Sequence, residues 1–364
     1  MRRRTRPSAV LAFAAVCFAV SVILLALSIA FSGFAEAFSI SVGAAIRMVL
    51  ALAACFVPFS LAEIGVIVLP LALTFWFIRC IVRCVRQKSA RPLGTFFIKL
   101  LAGLLFASSL FIVSFGICYR RTPVDTRVPM VDEALVTREC IETAAVMMNE
   151  RAKAVLPDIE FTDNGASRMP YAFPALCETL TDAYHRRFSE SPAVFSVKPV
   201  MLSEPLTYTH LSGVYMPFTG ESNVNVHYPD FIVAYTCAHE MAHQMGIASE
   251  NEANFYAFAV CFEADDPYLV YAACMNLLDY LFADLDHEGA SRVIAQMPDE
   301  VIGEFAAYSA FFRKYAQSGA AELASAVNDS YLKSQGVAAG VKSYGEVTSL
   351  AVRYLMKQYP FQFR

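Results

Sequence analysis

Asp230 to Glu263 reads DFIVAYTCAHEMAHQMGIASENEANFYAFAVCFE. Apolar residues recur there at helical spacing after Pro229, which predicts an amphipathic helix starting near Asp230. On it, His239-Glu240-Met241-Ala242-His243 forms an HExxH motif. Positions i and i+4 lie on one helix face about 6 Å apart, so both imidazoles can bind one metal ion. Glu240 falls to the neighbouring side, where it can take a proton from metal-bound water and pass it to a leaving amine. Gly246 comes three residues after His243, where a sharply turning helix needs a left-handed cap. A second helix is expected from Ser249.

A catalytic zinc site needs a third protein ligand and one open position. Glu250 and Glu252 are the candidates, with Glu250 first and Glu252 the alternative. Glu250 and Asn254 are four residues apart on one helix face, so Glu250 can bind metal while Asn254 supports a ligand from behind. Glu252 points about 200° away around the helix. Acidic residues at helix starts also serve simply as first-turn acids. Cys237, two residues before His239, faces away from the metal by the same geometry, which excludes it as a nucleophile.

Outward from this segment the composition is unusual. Hydrophobic residues make up 57% of the 364-residue chain and charged residues 17%, with mean hydropathy +0.45. Average soluble chains carry about 25% charged residues, so a large part of this chain needs lipid. The net charge of −4 conceals a split: residues 1–121 sum to +11 and residues 122–364 to −15. An apolar basic half joined to an acidic polar half predicts a membrane domain over 1–121 and a soluble domain over 122–364. The acidic half would repel phosphate, which excludes nucleic acid as its partner.

Three membrane spans are expected, at about 8–32, 61–78 and 93–119. The apolar stretch 38–57 is broken by Arg47 and closed by Pro58, so an interfacial or re-entrant helix is expected there. The N-terminal tail and the segment 79–92 hold nine basic residues, against one in 33–60. That bias predicts a multi-pass protein of the cell membrane, with a cytoplasmic N-terminus and the soluble domain on the outer face. A full span over 38–57 would invert this. Ten cysteines without a CxxC pair argue against a cysteine zinc cluster and for buried free thiols.

In the soluble half, Val131–Ala154 and Pro174–Glu190 have helical periodicity. Val197–Glu204 and Gly213–Val226 read as strands, the second interrupted by Pro217 and Gly220. From Pro229 onward the chain reads as helical, with Pro229, Pro267 and Pro298 opening helices. The expected fold class is a multi-pass α-helical membrane N-terminus plus a soluble α+β domain, mostly helical and zincin-like, with a small sheet. In the second strand, Glu221, Asn223 and Asn225 share a face that could meet substrate or water. A donor to the developing oxyanion is sought among His210, His227, Tyr331 and Tyr344. His185 and His287 have no partner pattern.

The HExxH with a following Glu250-x-x-x-Asn254 resembles the gluzincin-like zinc peptidases, whose second motif has the form ExxxD or ExxxN. The link between the two motifs is short here, and the third histidine of metzincins is replaced by Ser249. The segment Ser212-Gly213-Val214-Tyr215-Met216-Pro217-Phe218-Thr219-Gly220-Glu221, followed by HExAHQxGxxxExEANF, resembles an uncharacterised membrane family catalogued as domain of unknown function 3810. Pro58-Phe59-Ser60-Leu61, Tyr331-Leu332-Lys333 and Gly340-Val341-Lys342-Ser343-Tyr344 are similar to it too. The resemblance implies a peptidase with one zinc ion per chain and a peptide or protein substrate. A zinc amidase or deacylase of cell-envelope substrates shares the ligand set. An inactive membrane receptor with a structural metal is the alternative outside enzymes.

Overall fold

The computed structural model describes residues 7–316, 318–335 and 346–363. The chain divides into two compact units. One holds residues up to Arg121 together with Met216–Glu221; the other holds Thr122–Tyr215 and Ser222 onward.

The first unit contains α1 (Pro7–Ala30), α2 (Ser32–Phe38), α3 (Ala44–Cys55), α4 (Leu61–Gln87) and α5 (Arg91–Ser114). Four stretches are long and apolar enough to cross a membrane: Ser8–Ala30, Ser32–Cys55, Leu61–Gln87 and Arg91–Ser114. The basic stretch expected as a loop at 79–92 is helical to Gln87, and Lys88 closes α4 in a left-handed conformation with φ 46°. The last apolar helix stops at Ser114, and a 3₁₀ turn at Gly116–Arg120 follows.

The segment expected to be interfacial, 38–57, belongs to a longer helical run in which a π turn at Ser39–Gly43 joins α2 to α3. Arg47 does not break that run, because its charge is met inside the unit. The buried guanidinium donates to Ser114 O at 3.0 Å, Ser39 O at 2.9 Å and Cys118 Sγ at 3.2 Å. Ser114 is the C-terminal residue of α5, where the helix dipole favours a cation. Arg121 pairs with Glu36 at 2.7 Å. Arg121, which pairs with Glu36, and Ser114 and Cys118, which meet Arg47, therefore lie together at one end of α5.

Met216–Glu221 is seated at that same end. Ser114 Oγ donates to Pro217 O at 3.4 Å. Gly220, at φ 70°, lies so close to α3 that an added Cβ would come within 2.7 Å of Ala51 N and Leu50 Cβ. The Glu221 carboxylate accepts from the backbone N–H of Leu61 at 3.1 Å and of Ala62 at 3.0 Å. Together with Ser60 Oγ, which accepts from Glu63 N at 2.9 Å, it satisfies three of the four free N–H groups that open α4.

The second unit runs α6 (Val124–Arg127), α7 (Arg138–Val155), β1 (Glu160–Phe161), β2 (Ser167–Arg168), α8 (Phe173–Arg187), β3 (Val197–Pro199), α9 (Ser203–Thr207), β4 (Gly213–Met216) and β5 (Glu221–Val224). It continues with α10 (Asp230–Gln244), α11 (Glu250–Phe262), α12 (Pro267–Asp284), α13 (His287–Ile294), α14 (Asp299–Arg313), α15 (Gly319–Ser334) and α16 (Val347–Gln358). Helix α7 starts later than its periodicity suggests because Thr137 caps it, accepting from Cys140 N. The strand expected at 197–204 stops at Pro199 and turns into α9. The β1–β2 hairpin was not legible, being two residues per strand.

In the three-stranded sheet β5 lies between β3 and β4, with β3 and β5 parallel and Val197 opposite Ser222. Helices α11 and α12 are buried on nearly every side, as their all-round apolar sequences require. They pack with α10, and α7, α8 and α16 surround them. All ten cysteines are unbridged.

Candidate metal centre

Helix α10 carries the HExxH, and its end is built to bring α11 back onto it. Gly246 adopts φ 88°, its N–H bonds His243 O at 2.9 Å, and Ile247 N bonds Ala242 O at 3.1 Å. These two bonds form a Schellman cap, for which glycine is favoured. The reversal sets Glu250, the first residue of α11, against the two histidines. Glu250 Oε2 lies 3.2 Å from His239 Nε2 and 3.6 Å from His243 Nε2. One ligand atom from each of the three residues falls within 4.8 Å of the others.

Both imidazoles are oriented from behind. His243 Nδ1 lies 2.7 Å from Ile247 O, a carbonyl that can only accept, so Nδ1 carries the proton. Asn254 Nδ2 donates to Glu250 O at 3.0 Å, which leaves its Oδ1 to face His239 Nδ1 at 3.1 Å. His239 Nδ1 is therefore the donor too, and in both rings Nε2 is the nitrogen that faces Glu250.

The His–Glu separations bracket the roughly 3.4 Å between ligand atoms that a tetrahedral ion with bonds of about 2.0–2.1 Å would require. Two imidazole nitrogens and one carboxylate oxygen are a donor set suited to zinc.

Glu240 is buried on the flank of this group, and its Oε2 has no hydrogen-bond partner among the described residues. Burial pushes its carboxyl up to about 7, only partly offset by His243 and His239. Burial would lower His243, but the Glu250 carboxylate overrides it and holds the imidazole up at about 9. Burial likewise opposes ionisation of Glu250, yet the two imidazoles hold its carboxyl well below the usual range.

Strand β4, one edge of the three-stranded sheet, runs against Glu240. A Cβ on Gly213 would come within 2.5 Å of Glu240 Oε1 and 2.6 Å of Thr236 Cγ2, so only glycine fits. From β5, Ser222 Oγ donates to Glu240 O at 2.8 Å. The sequence motif around Gly213 thus contains a contact with the HExxH helix that local reading could not reveal.

Other expectations change. Glu252 is turned away from the histidines: its carboxylate accepts from Arg127 Nη2 at 2.7 Å and Val124 N at 2.9 Å. Glu221, Asn223 and Asn225 do not face water: all three are buried. Asn223 Nδ2 donates to Val214 O, and Asn225 Nδ2 to Thr207 Oγ1 and Leu211 O. His210 and His227 both turn to Tyr315, His210 Nε2 to its carbonyl and His227 Nε2 to its hydroxyl, each at 2.7 Å. Neither joins the group of ligand atoms. Tyr331 lies part-exposed on α15, and Tyr344 lies outside the described residues. Cys237 is buried away from solvent, and His185 Nε2 meets Pro192 O at 2.8 Å.

Apolar helices of spanning length, joined to a mostly helical unit that gathers a His-His-Glu group, define the class of protein. Residues 38–352 match the family model described as protein of unknown function (DUF3810), and the chain belongs to that family. No curated protein and no solved structure matches it.

Proposed function

We propose that the chain is a membrane-anchored, zinc-dependent metallopeptidase. The observation that carries this reading is the convergence of His239, His243 and Glu250 beside the buried carboxyl of Glu240. Zinc held by these three residues would supply Lewis acidity to a peptide carbonyl and acidify a water molecule. The chain's own groups do the remainder. Asn254 and Ile247 O hold the rings so that Nε2 of each faces Glu250, where a metal ion would be held. Glu240 takes a proton at its unpartnered Oε2 and delivers it to the departing amine nitrogen. A carboxyl raised toward neutrality suits both halves of that transfer. A purely structural metal would call for a fourth protein donor, and among the described residues the group has three.

The anchor consists of α1, α4 and α5 as crossing helices, with Ser32–Cys55 lying along one membrane face. The bonds of Arg121 to Glu36, of Arg47 to Ser114 and Cys118, and of Glu221 to Leu61 support this arrangement. Three crossings, with the tail and 79–92 in the cytoplasm, put the enzymatic unit on the outer face.

The test is zinc content of the full chain, purified in detergent without chelator, followed by digestion of a peptide library. One zinc per chain, lost in Glu250→Ala, and cleavage that falls about 10²–10⁴-fold in Glu240→Gln at unchanged zinc, are expected. A wild-type chain without zinc, or turnover that survives Glu240→Gln, would overturn the reading. Hydrolysis of cell-wall amides but of no peptide would move the reaction to an amidase.

A further inference from the structure

Glu250 occupies the weakest position available to a ligand. It is the first residue of α11, where a helix frays, and Ser249 before it bonds the Asn251 side chain, itself bonded to Glu346, but caps no backbone N–H of the helix. Its backbone must be held by something else. On one side Asn254 Nδ2 bonds Glu250 O. On the opposite side of the same turn is Glu252, whose two carboxylate oxygens are both taken. Val124 N donates to Oε1 at 2.9 Å and Arg127 Nη2 to Oε2 at 2.7 Å.

Arg127 is itself locked. Its Nε donates to Thr122 O at 2.9 Å and its Nη1 to Tyr256 OH at 2.9 Å, and its guanidinium lies 5.8 Å from the centre of the Tyr256 ring. Glu190 lies 3.6 Å from Nη1. The side chain is 14% exposed, so this pair is far less screened than a surface pair such as Arg138–Asp286 at 80% and 50%. Tyr256 is one turn further along α11. Arg127 thus grips the helix at Glu252, within the turn that starts with Glu250, and at Tyr256 in the turn that follows.

We propose that Arg127 is a positioning residue for the metal centre: through Glu252 it fixes the first turn of α11 and so the carboxylate of Glu250. The residues that grip this turn, Thr122 to Arg127, are the first of the second unit, immediately after the apolar helices in sequence. The inference rests on reading His239, His243 and Glu250 as metal ligands.

The experiment uses the full chain in detergent, with zinc affinity measured by chelator competition and site geometry by the visible spectrum of the cobalt-substituted form. Arg127→Ala is expected to weaken zinc about 10–100-fold, the range for removal of a ligand's support, and to shift the cobalt bands. Arg127→Lys, which keeps the charge but not the fork, should recover part of the affinity. Glu252→Gln should weaken zinc with no further loss in the double variant, since both act through one link. Arg138→Ala is the control. Thermal melting in saturating zinc measures how much of each sample is folded. Wild-type affinity and an unchanged spectrum in Arg127→Ala would overturn the proposal while leaving the metal site intact. A loss that follows only the unfolded fraction, in Arg127→Ala and in Glu252→Gln alike, would also overturn it. A wild-type chain that binds neither metal would instead remove the metal reading itself.

Discussion

His243 and Glu240 make the metal-free site sensitive to alkali. His243 is held up at about 9 against an ordinary 6.5, so the stability it contributes is complete below 6.5 and lost as pH rises through 9. Glu240 is raised to about 7 against 4.5, so its contribution is also lost on the way up, through 7. Glu250 is depressed, and its contribution is present above 4.5 and lost as the solution is acidified. The chelated chain should therefore lose melting temperature between pH 6.5 and 9, and saturating zinc should remove most of that loss by taking the place of the protons. Calorimetry across that range, with and without zinc, checks this; a flat profile for the chelated chain contradicts it. These residues were legible because His239, His243, Glu250 and Asn254 fall within sixteen positions. Helix period and one glycine cap largely determine how such a segment folds back. Glu252 was ambiguous for want of its partner, Arg127, 125 positions upstream.

At the level of elements, strand β4 and helix α10 are separated by a single missing methyl group. Gly213→Ala should destabilise the chain by about 1–3 kcal/mol, because the added carbon must displace Glu240 or Thr236. Cleavage should fall further than stability does, since the displaced atom is a carboxylate oxygen of Glu240. Melting and turnover measured on the same sample separate the two effects. The start of α4 offers a second case. Glu221→Ala removes the acceptor of two helix-opening N–H groups, worth about 0.5–2 kcal/mol, and Glu221→Asp should recover part of it. Thermal unfolding in detergent reads both variants. The alternation of Glu221, Asn223 and Asn225 indicated a strand with two unlike faces. It could not say that both faces are covered, because that depends on distant partners such as α10 against Ser222 and the start of α4 against Glu221.

For the whole molecule, the testable quantity is sidedness. If Ser32–Cys55 lies along the membrane, reporters fused at the N-terminal tail and inserted at 88–90 should report the same side, and a reporter after the last residue the opposite one. If that run crosses, the tail and 88–90 would report opposite sides. The sequence by itself determined that the chain has an apolar basic part and an acidic helical part, and where its HExxH, Gly246 cap and Glu250-x-x-x-Asn254 lie. Those features are written in composition and in helix periodicity, which act over a few turns. Only the tertiary structure decided that Arg47 is buried at the end of α5, that Glu221 caps α4, that Gly213 touches Glu240 and that Arg127 holds Glu252. Each is a contact between residues 67 to 160 positions apart or between a strand and a distant helix. Such pairings arise from packing and hydrogen-bond satisfaction in three dimensions, and no local pattern encodes them.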